Sequence, residues 1–475
     1  MLIRQSKNSF IRFYEHGTVG FITNQLNHIS RYCYDSGADF LSKISRKPQE
    51  IENIISSLAL LYDVDKELLR QDFLDFIQEL AKDELVVTGA TVEQINLNDK
   101  DFCYSNLIDT ETSNRLDEDV KEQADNKSKD VDSSQKKSNI LKSLQLELTS
   151  CCNERCIHCY IPNSKKNFGK DMVFSCFKSI IDQFVAMGGI KVTLSGGEAL
   201  LNKEFVRMLR YCREKDLQII LFSNLISLSD EHVKLLKDIN VSLVQVSLYS
   251  INPDIHDKIT SKKGSFERTI KSIEKLYISN IPIQIACPVM KANKDSIGDV
   301  IRYAKQKGIR YKTDYIIFAQ SDLETKNLAN RLSVEETEDV IRKILSADKN
   351  YFKQKSNTTL SLEEKANEPF CNAGFNSLNI SSKGEVFLCP GWDRFVVGNI
   401  NNQPLEEIWN TSDKIKMVRE IRQKDFPKCL SCEASYYCAM CLMRNFNESL
   451  GDMFNINEQL CEIAFMTKRL VEENM

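Results

Sequence analysis

The sequence predicts an α/β fold: a parallel sheet with helical crossovers, preceded by a small strand-and-helix domain and followed by a cysteine-rich one. Three observations support this. From Leu144 onward, six short apolar strand patterns alternate with amphipathic helix patterns. Residues 111–139 are almost wholly Glu, Asp, Lys, Ser, Asn and Gln, which divides the chain in two. Ten of the sixteen cysteines fall in spaced groups, three directly after the first strand of the alternation and seven in the C-terminal third. At 475 residues the chain is too long for one ordinary core, so two to four domains are expected.

The elements follow in order. Residues 9–15 and 17–23 read as strands joined by a tight turn at His16-Gly17. Asp35 or Ser36 caps a short helix to Ile44, and Pro48 suits the first turn of a second, reaching about Leu61. A third helix runs from about Asp65 to Asp83, with Leu68, Leu69, Phe73, Phe76, Ile77 and Leu80 at helical spacing. Residues 84–88 close the unit as a strand. Residues 91–140 read as a charged flexible linker, because 111–139 offer only Leu116, Val120, Ala124 and Val131 to bury and cannot offset the entropy of ordering. Strands are then expected at 144–149, 190–195, 217–223, 241–247, 282–289 and 311–318. The helices between them include 175–187, 204–215, 230–238, 266–276 and 295–307. Such units make right-handed crossovers and place reactive groups at the C-terminal ends of the strands.

Composition removes several function classes. With 63 basic against 67 acidic residues and a net charge of −4, the chain lacks the basic footprint of a nucleic-acid binder. No apolar run approaches the about 18 residues of a membrane span. Met1-Leu2-Ile3-Arg4-Gln5 does not resemble a signal peptide, so a cytoplasmic chain with reduced thiols is expected. Its cysteines then read as metal ligands and not as a disulfide framework. Cys33, Cys103, Cys151, Cys176, Cys212 and Cys287 stand outside the groups and read mostly as small buried hydrophobes.

Cys152, Cys156 and Cys159 form a C-x3-C-x2-C run. Three thiolates can hold three irons of a [4Fe–4S] cube and leave the fourth iron open to a substrate or cofactor. Ser195-Gly196-Gly197-Glu198 ends the second strand of the alternation, so both motifs fall on one rim. The two glycines let the backbone approach a ligand closely, and Glu198 supplies an acceptor. The C-terminal set reads Cys371-x12-Gly384-x4-Cys389, then Cys429-x2-Cys432-x5-Cys438-x2-Cys441, then Cys461. A structural zinc site is the alternative for the C-x2-C-x5-C-x2-C run. His16, His28, His158, His232 and His256 show no clustered ligand spacing; His256-Asp257, on the rim, is a candidate for proton transfer.

Together these motifs resemble the radical S-adenosylmethionine (SAM) superfamily, and the C-terminal cysteines resemble its SPASM branch. The resemblance implies a partial (β/α)6 TIM barrel over 141–335 and a SPASM auxiliary-cluster domain over 336–475. The strand-and-helix pattern of 1–90 resembles the winged-helix domain that recognises leader peptides. Three [4Fe–4S] clusters are implied. The catalytic one would use Cys152, Cys156 and Cys159. One auxiliary cluster would use Cys429, Cys432, Cys438 and Cys461, and the other Cys371, Cys389 and Cys441, with one iron open or closed by a further group. The family pattern has three residues where this chain has two between Cys438 and Cys441, which loosens that division. SAM would be bound by Tyr160, Gly196, Gly197 and Glu198, with Asn224 and Ser247 as candidate polar contacts.

The activity implied begins with one electron from a flavodoxin- or ferredoxin-type reductant. SAM is cleaved to methionine and a 5′-deoxyadenosyl radical, which takes hydrogen from a residue of a precursor peptide. The leader of that peptide would bind the N-terminal domain, and its cysteine-containing core would gain thioether cross-links, as in sactipeptide and ranthipeptide synthases. Alternatives are a SPASM maturase forming C–C or C–O cross-links or another peptide modification, or a non-enzymatic iron–sulfur redox or binding protein.

Overall fold

The computed structural model describes residues 1–104, 139–167, 170–352 and 361–473. Its amino-terminal unit holds two small antiparallel sheets. β1 (Leu2–Gln5) is the middle strand of one, and β2 (Ser9–Tyr14), β3 (Val19–Asn24) and β4 (Ser30–Tyr34) form the other as a meander. The β2–β3 turn falls at His16-Gly17, both in left-handed backbone. Helices Ser36–Ser42, Ile51–Tyr62 and Lys66–Lys82 follow, the last capped by Asp65, which accepts from Glu67 N and Leu68 N. β5 (Gln49–Glu50) and β6 (Val86–Gly89) flank β1. Phe40, Leu58, Phe73 and Ile77 share a core with Ile3, Ile22 and Leu85. Leu68, although at helical spacing, stands outside that core at 66% exposure.

The first part of the stretch that composition assigns to a linker is folded. Val92–Asn98 is a helix capped by Thr91, and Ile95 is buried beneath it. Asp99 pairs with Arg4 at 2.6 Å and accepts from Ser6 Oγ at 2.8 Å. These contacts anchor a segment whose hydrophobicity alone would not. Tyr104 then reaches the large sheet, donating from its hydroxyl to Ile281 O at 2.5 Å. The polar stretch that follows, up to residue 138, lies outside the described residues.

The amino-terminal unit is seated on the large domain. Arg12, nearly buried, donates from Nε to Gly189 O at 2.7 Å and from Nη2 to Lys215 O at 3.1 Å and Asp216 O at 2.7 Å. Arg46 Nε bonds Asp216 Oδ1 at 2.7 Å. Phe10, Tyr14 and Phe21 bury Ile190 beneath the meander.

β7 (Ser143–Thr149), β8 (Lys191–Gly196), β9 (Gln218–Ser223), β10 (Leu243–Ser247), β11 (Ile283–Ala286) and β12 (Arg310–Lys312) form the parallel sheet that the alternation predicts. Leu146, Leu194, Leu221 and Val244 lie in register and are fully buried under the outer helices. Among the described residues the sheet does not close into a barrel. Beside β7 it continues instead through β13 (Ser377–Ile380), β14 (Glu385–Phe387) and β15 (Gly398–Asn399). β13 runs parallel to β7, so the cysteine-rich region extends the same sheet. No helix among the described residues is long and apolar enough to cross a membrane.

Candidate active site

The C-terminal ends of β7, β8 and β9 are stitched into one rim. Gly197 N donates to Thr149 O at 2.8 Å, and Glu198 N donates to Cys151 O at 2.9 Å. A side chain on Gly196 (φ +132°) would overlap Thr149 O, and one on Gly197 would overlap Cys151 O. The glycine pair therefore serves first to press the β8 end against the cysteine loop. Glu198 is 1% exposed. Its Oε1 accepts from Leu200 N at 3.0 Å and Ser223 Oγ at 2.7 Å, and its Oε2 from Asn224 N at 2.8 Å. Burial still raises its pKa against these bonds. Asn224 donates from Nδ2 to Asn153 Oδ1 at 2.8 Å and accepts from Ile226 N at 3.1 Å. Both residues thus sit on the predicted rim with their polar atoms already tied to the loops around them.

Cys152, Cys156 and Cys159 occupy a loop held from below, where Arg155 N donates to Thr260 O and Ile157 N to Ile259 O, at 2.9 and 3.0 Å. The buried Lys166 is drawn among the three: burial opposes its charge, but Cys159, to which it bonds, Cys156 and Cys152 hold its pKa up. Burial pushes the Cys152 thiol up to about 11 and Cys156 well above its usual value. Glu154, with no sequence signal beyond its place inside the run, is 3% exposed and leaves Oε1 without a hydrogen-bond partner. Its Oε2 accepts from Cys156 Sγ at 3.6 Å.

The seven C-terminal cysteines fall into two groups. Burial and then Cys441 and Cys371 raise the Cys389 pKa; burial and Cys441 push Cys371 up to about 11. Separately, Cys429 is raised by burial and by Cys438, Cys461 and Cys432, and Cys438 by burial, Cys461 and Cys432. Cys371 precedes β13, Cys389 follows β14, and Gly384 (φ +83°) turns the hairpin between them, which accounts for the C-x12-G-x4-C spacing. No disulfide joins any of the sixteen cysteines. Among the described residues no three His, Cys, Asp or Glu side chains converge as ligands of one ion. Four thiolates on one zinc would, since Zn–S bonds of about 2.3 Å bring the sulfurs within about 4 Å of each other. An iron–sulfur cube spreads its thiolates over separate iron corners, and these all-cysteine groups supply the donor type that it takes.

The remaining candidates are placed as follows. Tyr160 stacks on Phe318 with 5.4 Å between ring centroids; burial, then Glu147, Cys159, Asp393 and Cys389, raise its phenol. Its phenol is thus coupled to one cysteine of the triplet and to one of the Cys371/Cys389/Cys441 group. Ser247, ending β10, bonds the buried Tyr249, whose hydroxyl lies 3.8 Å from Cys156 Sγ. Asp257 accepts from Gly264 N, Phe266 N and Ser265 Oγ at 2.5, 2.9 and 3.0 Å, a loop-closing role. His256 is buried and accepts from Tyr249 N at 3.3 Å. That geometry brings no support for proton transfer by this pair.

Residues 146–304 match the model of the radical SAM superfamily, and residues 371–433 match the SPASM iron–sulfur cluster-binding domain. The chain carries a radical SAM domain followed by a SPASM domain. It is 27% identical over 334 residues to the antilisterial bacteriocin subtilosin biosynthesis protein AlbA of Bacillus subtilis, spanning 67% of this chain and 72% of AlbA. It is also 27% identical over 318 residues to an AdoMet-dependent heme synthase of Methanosarcina barkeri, spanning 63% of this chain and 90% of the synthase. The fold matches Streptococcus suis SuiB, solved with its precursor peptide SuiA, at TM-score 0.60 and 13% identity, over 97% of this chain and 99% of SuiB. The radical SAM and SPASM domains imply SAM and [4Fe–4S] clusters, and the thiol groups above are suited to them.

Proposed function

We propose that this protein is a radical SAM maturase of a ribosomally made peptide and that it joins a substrate cysteine sulfur to carbon in a thioether. The observation that carries the reading is the division of the C-terminal cysteines into a group of four and a group of three. Cys152, Cys156 and Cys159 would hold the catalytic cluster, with SAM beside Gly196, Gly197, Glu198, Asn224, Ser247 and Tyr160. Cys429, Cys432, Cys438 and Cys461 would complete one auxiliary cluster. Cys371, Cys389 and Cys441 would hold the third, one thiolate short, leaving an iron for the substrate sulfur.

When bound, SAM and the clusters supply one-electron chemistry that removes hydrogen from an unactivated carbon and takes up the surplus electron. The chain itself provides enclosure and orientation. The rim loops would exclude water, and the region around Tyr160, coupled to both Cys159 and Cys389, is where sulfur and carbon would meet as an oriented pair. β4 is one of the two edge strands of the amino-terminal meander and would offer a leader peptide a place to pair by strand addition. Likeness to AlbA, named for bacteriocin biosynthesis, supports a peptide substrate. A flavodoxin- or ferredoxin-type protein would deliver the electron, and a cytoplasmic setting would keep the thiols reduced.

The test is mass spectrometry of a candidate precursor after reaction. The product weighs about 2 Da less per bond, because two hydrogens leave. One thiol per bond becomes unreactive to alkylation, and reductant does not restore it. A loss of 2 Da with every thiol still alkylatable would point to C–C or C–O bonds. The heme synthase relative favours a second reading, a tetrapyrrole substrate. Consumption of an iron porphyrin with 5′-deoxyadenosine release, and no change in peptide, would establish it.

A further inference from the structure

We propose that Glu147 takes the proton from the substrate thiol, a role that rests on the thioether reading above. On β7, Leu144, Leu146 and Leu148 are fully buried under the helices. Gln145, Glu147 and Thr149 alternate with them and face the inside of the curved sheet. Glu147 is half-buried on that face, so part of its surface stays accessible.

Several elements bring polar groups to it. Asn379 of β13 donates from Nδ2 to Glu147 Oε1 at 3.2 Å. Asp393 and Glu385 add negative charge, and Lys165, ion-paired with Asp393, adds positive charge. Tyr160 completes the surroundings, feeling Glu147, Cys159, Asp393 and Cys389 together. Glu147 therefore neighbours a residue that is coupled to one cysteine of each group, Cys159 and Cys389. A thiol held by one group and a C–H bond presented to the other would meet there. The contrast with structural carboxylates is plain: Glu198 and Asp257 are tied by backbone amides, whereas the bond to Glu147 comes from a side-chain amide.

Burial, then Asp393, push the Glu147 carboxyl up to about 7, against the pull of Asn379 and Lys165. A base with that value is partly ionised at neutral pH and retains a proton once it has one. In the step, the S–H bond breaks, sulfur keeps the electron pair, and the proton bonds to a Glu147 carboxylate oxygen. The thiolate is the form that a soft iron position accepts.

The experiment compares Glu147→Gln and Glu147→Asp with wild type as full-length reconstituted proteins acting on a thioether-forming precursor. Glu147→Gln keeps the wild-type iron content but cross-links about 100-fold more slowly. It releases more 5′-deoxyadenosine per cross-link, and the fall in rate below about pH 7 expected of wild type is absent. Glu147→Asp restores part of the rate together with the acid limb. Wild-type rate and pH profile in Glu147→Gln overturn the proposal, as does loss of iron, which would make the residue structural. If the wild-type product retains all its thiols, the thioether reading fails first, and this role fails with it.

Discussion

A methyl group at Gly197 would occupy the space of the Cys151 carbonyl oxygen, and the two hydrogen bonds that lock the β8 end to the cysteine loop leave little room to retreat. Gly197→Ala should therefore cost about 1–3 kcal/mol of stability and remove SAM-dependent 5′-deoxyadenosine formation, measured by thermal melting and chromatography. The motif was legible in the sequence, but its first duty was not: a glycine pair does not reveal which backbone it must touch. At the same scale, replacing Cys152, Cys156 and Cys159 together should remove about four irons of about twelve and abolish SAM cleavage. Cleavage that survives in the triple variant would refute the assignment of the catalytic cluster. Glu154 and Glu147 escaped notice because a carboxylate inside a cysteine run or at an alternate strand position looks like any solvated one. Only burial and neighbours distinguish them.

Among the elements, long periodic segments were the readable ones. Each of the six parallel strands overlaps its predicted span, though β11 and β12 are shorter, and Asp230–Asp238 has the predicted bounds. β1 and β4 were hidden because strands of 4 and 5 residues are too short for an alternation to stand out in the sequence. Pro253–Thr260 was missed although Asn252 caps it and Pro253 opens it, since a helix of 8 residues makes barely two turns of apolar spacing. The β13–β14 hairpin was present in the sequence only as a glycine between two cysteines. It predicts an asymmetric result for Cys441→Ala: about four irons lost and cross-linking abolished, with SAM cleavage retained. Equal loss of SAM cleavage, read from 5′-deoxyadenosine yield, would show that the groups do not act separately.

For the whole molecule, the main departure from expectation is the seating of the amino-terminal unit. Composition suggested a module hanging on a tether, but Arg12 bonds three backbone carbonyls of the large domain, and Ile190 is buried under the meander. Interfaces made by sparse buried cations among distant residues leave no periodic trace in sequence. Arg12→Ala should cost about 3 kcal/mol, since charge-assisted bonds are lost and buried carbonyls are left unpaired. Limited proteolysis should then release the first hundred residues faster than in wild type. Precursor affinity should fall if leader and core are held at a set separation; unchanged affinity on titration would show that seating is irrelevant to capture.

The continuity of β7 with β13 and β14 has a metrical consequence. The loop of Cys152, Cys156 and Cys159 leaves the C-terminal end of β7, whereas β14 runs antiparallel to β13 and so to β7, and carries the chain that reaches Cys389 back toward the opposite edge of the same sheet. Neighbouring strands stand about 4.8 Å apart, so the two strand ends differ by about 10 Å across the ladder and also by register along it, Phe387 standing level with Asn379 and Gln145. One hydrogen-bonded sheet thus fixes both components of the offset. A slip of β13 or β14 would move one cysteine group past the other in a whole-residue step and not by gradual drift.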